Sequence, residues 1–180
     1  MPTLIHRTAV PDVFVDASTI DLAGESLVVE FEPEWTDNGL VEADPDGEGV
    51  RVLCGQEIGD IAVTAELWDA APQLDTEGWQ DAAEVSAAWQ SPFVDFATNQ
   101  REDDDEAVLP LSGPGDYRVR VYGRNRDDGD PRGDDEPREE YLIQLWPAPA
   151  TVPVLHKATS DTSALWHRRH PETGTAGQLA

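Results

Sequence analysis

Between Ala107 and Pro149 the chain sets out two long runs in which apolar and polar residues alternate, the pattern of strands with one buried face. In Asp116 to Arg124, Tyr117, Val119 and Val121 share one face and Arg118, Arg120, Tyr122 and Arg124 the other, so the arginine face is expected to meet water. Tyr141, Ile143 and Leu145 repeat the alternation against Leu142, Gln144 and Trp146, and Pro147 and Pro149 end the run by removing amide donors. The two runs form a predicted hairpin. Gly113-Pro114-Gly115 predicts a tight turn that returns Val108 to Leu111 antiparallel to Asp116–Arg124, with Pro110 marking an edge or a strand end. Asn125 to Arg138 carries Gly129, Pro131, Gly133 and Pro137 among charged residues, a composition that predicts a solvated loop.

Shorter runs fill in the rest. Val13 to Asp16, Leu27 to Glu32, Val50 to Cys54, Ile61 to Trp68, Phe93 to Phe96 and Val152 to Leu155 read as strands. Trp79 to Trp89 fits a helix by its alanines and a strand by its alternation, and its β surroundings favour the strand. Trp35 reads as a core plug, and Glu102 to Glu106 as an exposed acidic loop. Ser160 or Asp161 is placed to cap a short helix running to Arg169. The expected fold is all-β, an antiparallel β-sandwich or jelly-roll-like arrangement over 1–158, a short helix within 159–170 and a disordered tail over 171–180. Its core is expected to include Val29, Phe31, Ile61, Val63, Leu67, Tyr117, Val119, Val121, Ile143 and Leu145.

Charge narrows the choice of partner. The 180 residues hold 12 basic and 37 acidic side chains, a net charge of −25, so the field repels nucleic-acid phosphate and anionic membrane and attracts basic proteins. Eleven of the basic residues are Arg and one is Lys157, a bias of high-GC bacterial genomes, and halophilic adaptation gives a similar excess of acid. The lone Cys54 sits in an apolar run and reads as a buried small hydrophobe rather than a nucleophile. The first residues lack the apolar core of a signal peptide, and no run approaches the ~20 apolar residues of a spanning helix, so a cytoplasmic location is expected.

Candidate chemistry is sparse. Asp44-Pro45-Asp46-Gly47-Glu48-Gly49 begins like a calcium loop, but the twelfth position is Gly55 where a bidentate Glu belongs, so Asp44, Asp46 and Glu48 read as an acidic turn before a metal site. His156, His167 and His170 do not make a metal set, because Arg168 and Arg169 lie between the last two. No phosphate loop, nucleophile elbow or paired-cysteine motif occurs, and no cofactor is expected. Two surfaces remain for a partner: the acids Asp127, Asp128, Asp130, Asp134, Asp135 and Glu136 of the long loop, and the Arg118, Arg120, Tyr122, Arg124 face. The loop is preferred, because hairpin loops usually run two to about five residues and longer ones tend to carry recognition. Its replacement by a Gly/Ser linker is expected to leave the melting temperature nearly unchanged.

Gly115-Asp-Tyr-Arg-Val-Arg-Val-Tyr-Gly-Arg with Glu140-Tyr-Leu-Ile-Gln-Leu-Trp-Pro downstream resembles the closing strands of uncharacterised small β-sandwich proteins of high-GC bacteria. The resemblance implies the fold and transfers no site. The expected function is that of a non-catalytic binding protein engaging a basic protein partner, for example an immunity or inhibitor protein for a toxin or nuclease. The competing expectations are an accessory or assembly subunit using a sheet edge or the Arg/Tyr face, and an enzyme with a carboxylate site still to be identified.

Overall fold

The predicted hairpin lies at the centre of the largest sheet. The computed structural model describes residues 1–35, 37–96, 107–128 and 132–169, with side chains as far as residue 166. Within them the strands are β1 (Leu4–Val15), β2 (Thr19–Leu22), β3 (Val41–Ala43), β4 (Val50–Leu53), β5 (Gly59–Trp68), β6 (Asp81–Trp89), β7 (Phe93–Asp95), β8 (Val108–Pro110), β9 (Gly115–Arg124), β10 (Glu140–Pro147) and β11 (Val154–Ala158), followed by the helix α1 (Asp161–Arg169). Six strands form one sheet in the order β1-β5-β10-β9-β6-β11, three form a second in the order β2-β4-β3, and β7 pairs with β8. The fold is all-β with one short helix, as expected.

The apolar faces explain how the layers close. Ile61, Val63, Leu67, Val119, Val121, Ile143 and Leu145 of the large sheet and Ile20, Leu22, Val50 and Val52 of the small one are buried in one cluster. Full burial of a side chain of this size is worth about 1.5–3 kcal/mol, so this cluster is the main favourable term of the fold. Trp35 is buried, as is Tyr117.

Several expectations are corrected. Val108–Pro110 does not return against β9; it pairs with β7, while β9 lies between β10 and β6. β10 runs antiparallel to β9 but parallel to β5, so the large sheet is mixed. Leu27 to Glu32 is irregular: Leu27 takes a left-handed φ of 55°, and Arg51 donates to the carbonyls of Val29 (2.7 Å) and Phe31 (2.9 Å), which a ladder would otherwise have used. Val29 is still buried, and Phe31 is only half-buried beneath the Arg51 guanidinium. The first strand extends to Leu4, well before the expected Val13.

Helix α1 forms where the cap residues stand. Ser160 Oγ accepts the Ser163 N–H at 3.0 Å, which supplies one of the partners the first helical turn lacks. The expected acidic loop over 102–106 and the tail over 171–180 lie outside the described residues. Among the described residues no helix is long and apolar enough to cross a membrane.

Candidate functional site: an acidic groove between two sheet edges

The arginine face of β9 does not meet water. Arg118, Arg120 and Tyr122 are 3%, 5% and 1% exposed, which closes this face to a partner. Glu84 of β6 holds both guanidinium groups, receiving Arg118 Nε at 3.0 Å and Arg120 Nε at 2.6 Å, with His156 Nε2 2.9 Å away. Two irregular segments cover the face: Arg120 donates to the Pro72 carbonyl at 3.0 Å, and Arg118 to those of Thr151 (3.2 Å) and Val152 (2.9 Å). Burial alone would raise the Glu84 carboxyl, but the Arg120 and His156 bonds outweigh it and hold the group below the usual carboxylate range. Tyr122 packs against Trp79, and Arg124, the outermost of the set, lies over the same indole and pairs with Glu140 directly across the hairpin.

The long loop is also more committed than its composition suggests. Arg126 is fully buried: its guanidinium pairs with Asp81 and donates to Ser163 Oγ (2.9 Å) and to the carbonyls of Leu53 (2.8 Å) and Gly39 (3.1 Å). Asp127 is exposed but engaged, since its carboxylate accepts the N–H groups of Asp161 (2.9 Å) and Thr162 (3.1 Å) at the start of α1. Arg132 pairs with the buried Glu139 at 3.4 Å. Asp134, Asp135 and Glu136 are exposed, Asp128 is half-buried, and Asp130 lies outside the described residues. Replacement of this loop is therefore expected to cost stability, which corrects the expectation drawn from composition.

Cys54 is buried, and burial followed by the nearby Glu139 charge pushes its thiol well above its ordinary value, the opposite of an activated nucleophile. Among the described residues no three His, Cys, Asp or Glu side chains come together as metal ligands. His156 is engaged with Glu84, while the His167 side chain and His170 lie outside the described residues.

Asp44, Asp46 and Glu48 acquire a different setting. They line an open groove of about 740 Å³ in which β3 and the turn after it face β6, Asp116 and the segment Ala150–Pro153. Among the described residues seven carboxylates line it, Glu34, Asp37, Glu42, Asp44, Asp46, Glu48 and Asp116, and no Lys, Arg or His does. Three of these acids are fixed by hydrogen bonds. Glu48 accepts the N–H groups of Gln90 (2.5 Å) and Ser91 (2.7 Å), Glu42 those of Trp35 (2.9 Å) and Glu34 (3.1 Å), and Asp44 that of Asp46 (2.9 Å). The negative charge is thus built into the walls before any partner arrives. Glu34, Asp37, Glu42 and Asp116 were not singled out in the sequence, because only the fold brings Asp116 and Asp37 into the lining of one groove with Glu48. The groove opens at the Gly115 end of β9 and the long loop at the Arg124 end, about 30 Å apart along ten strand residues.

Fold and groove together define an acidic two-layer β domain with a concave anionic surface. No protein-family model matches the chain, and no curated protein matches it by sequence. Among solved structures, the chain is similar to ComJ of Bacillus subtilis, described as an inhibitor of the DNA-degrading activity of NucA: TM-score 0.54, 10% identity, covering 82% of this chain and 99% of that one. It also aligns with the crocagin biosynthetic gene J protein at 18% identity and a TM-score of 0.46, over 81% of this chain and 100% of the other. At these identities the likeness to ComJ is one of fold.

Proposed function

We propose that this protein is a non-catalytic binder that inhibits a basic protein, in the manner of an immunity or inhibitor protein covering the cationic site of a nuclease. The observation that carries the reading is the groove, with seven carboxylates and no cation among the described residues of its lining. A wall of one sign focuses the field and raises association rates with an oppositely charged partner by about 10- to 1000-fold. The shared fold with a nuclease inhibitor is consistent with this role. The groove is preferred to the long loop, because Asp127 there is engaged by α1. The accessory-subunit alternative loses its Arg/Tyr face, since Arg118, Arg120 and Tyr122 are buried.

The test neutralises exposed groove acids. Asp37→Asn, Asp46→Asn and Asp116→Asn change residues at the surface and should leave the melting temperature within about 2 °C of the parent. A partner captured from native lysate at low ionic strength should associate with the triple variant about tenfold more slowly or worse, and should release nuclease activity on elution at high salt. Unchanged association, with Asp134→Asn, Asp135→Asn and Glu136→Gln slowing it instead, would move the contact to the long loop.

A further inference from the structure

β6 is covered unequally on its two edges. On one side β9 pairs with it from Asp81 to Trp89; on the other β11 pairs only from Asp81 to Glu84. From Val85 to Trp89 the second edge has no backbone partner among the described residues, and Val85 to Ala88 form one wall of the acidic groove. In a ladder alternate residues turn both N–H and C=O to the same side, so an unpaired run of five leaves a short row of donors and acceptors open.

The cause is local. Pro147, Pro149 and Pro153 strip donors from the segment that leads into β11, and Arg118 holds the carbonyls of Thr151 and Val152 on the far face of the sheet. The chain therefore joins the edge only at Val154. Beside the gap Ala87 and Ala88 are small, and Ser86 Oγ accepts the Thr151 N–H at 3.0 Å, a side-chain contact that brings the segment near the edge without joining its backbone ladder.

We propose that the open edge of β6, Val85 to Trp89, takes up an extended Lys- or Arg-bearing segment of the protein partner as an added strand, continuing the line of β11. This rests on the reading of the groove as the contact for a basic protein and adds the mode of contact. Main-chain bonds supply affinity and register, while groove carboxylates such as Asp44 and Asp116 meet the cationic side chains. The same charge excludes other occupants. A second copy of this chain carries −25, and the Glu102–Glu106 segment of the chain itself carries five acids, so both are repelled.

The experiment uses the full chain, labelled with nitrogen-15, and three capped octapeptides: alternating Arg-Val, the same sequence N-methylated at every second residue, and alternating Glu-Val. The Arg-Val peptide should bind and slow amide hydrogen exchange within Val85–Trp89; N-methylation, which keeps the charge and removes backbone donors, should weaken it about tenfold or more, and Glu-Val should not bind. Equal binding of the methylated peptide without protection of these amides would overturn strand addition while leaving the anionic groove as a contact. Failure of Arg-Val to bind at low salt would overturn the proposal. Protection in the free protein of those Val85–Trp89 amides that turn away from β9 would also overturn it, and sedimentation would then tell a second copy from a segment of the same chain. The inhibitor reading is judged separately, by the neutralised groove and the captured partner.

Discussion

Arg126→Met is the perturbation whose cost follows most directly from the geometry. The Arg126 side chain is 0% exposed and that of Asp81 1%, and the pair ties β6 to the β9–β10 connection. The same guanidinium satisfies the carbonyls of Gly39 and Leu53 and the hydroxyl of Ser163, so three other parts of the chain converge on one cation. Methionine fills a similar volume but leaves a buried carboxylate without its cation, removes the Arg126 donor from the Gly39 carbonyl and leaves the Leu53 carbonyl with the Tyr141 hydroxyl at 3.2 Å. Breaking a buried pair from one side costs about 3–5 kcal/mol, which for a domain of this length lowers the melting temperature by roughly 6–20 °C. Asp81→Asn should cost less, because the amide oxygen still accepts from the Ser160 N–H and the carbonyl bonds to Arg126 survive. The double variant should cost less than the two singles added, a coupling that urea denaturation of all four proteins measures. Acid provides a second readout. Burial raises the Asp81 carboxyl, the charge of Arg126 and the bonds from Ser160 and Arg126 more than reverse this, and the folded value lies below the unfolded one. The pair's contribution is thus complete above the unfolded carboxyl value near pH 4 and fades as pH falls through the folded value, a fading that Asp81→Asn should lack. A loss under about 1 kcal/mol for Arg126→Met would refute the reasoning.

Two further changes probe the same junction. A Cβ at Gly55 would stand 1.9 Å from the Arg126 carbonyl oxygen, so Gly55→Ala must push the two segments apart and should cost about 2 kcal/mol or more, read from the urea midpoint. Replacing Asp127–Glu136 by a Gly/Ser linker removes the carboxylate at the start of α1 and the Arg132–Glu139 pair, and should lower stability by about 1–3 kcal/mol with a loss of helical circular dichroism; an unchanged melting curve would show the loop to be structurally free.

The inner half of the fold was legible because it rests on period. Val119, Val121, Ile143 and Leu145 alternate in the sequence and all four are fully buried. The outer half was not, because what buries Arg118 and Arg120 is two aperiodic segments, around Pro72 and Thr151, that no alternation announces. An arginine opposite a valine reads as wet unless the chain elsewhere brings a Glu84 and a set of carbonyls to it. Leu27 to Glu32 failed in the other direction, where true alternation lost its ladder to the side chain of Arg51. The acids of the groove were partly visible as the Asp44, Asp46, Glu48 cluster, yet a groove is made by distance in sequence. Asp37 and Asp116 reach it only after β3 and β6 have met.

The burial of arginine changes what the net charge means. Arg51, Arg118, Arg120, Arg126 and Arg132 are each paired inside or at the edge of the structure, with Asp21, Glu84, Asp81 and Glu139 as partners. Five of the twelve basic residues are thereby taken up in pairs with four of the 37 acids. Arginine suits the interior role because its planar fork can serve a carboxylate and several carbonyls at once, as Arg126 does, whereas a lysine would act only as a point charge. Nearly all the lysine that would usually dilute a surface is missing, Lys157 being the single one. The chain uses its cations to join loops to strands and leaves its anions to the solvent, and in the groove those anions are further fixed by backbone N–H groups. An anion held in place before binding loses less side-chain freedom on meeting a cation, so a preorganised groove gains affinity that a flexible acidic tail of equal charge would not.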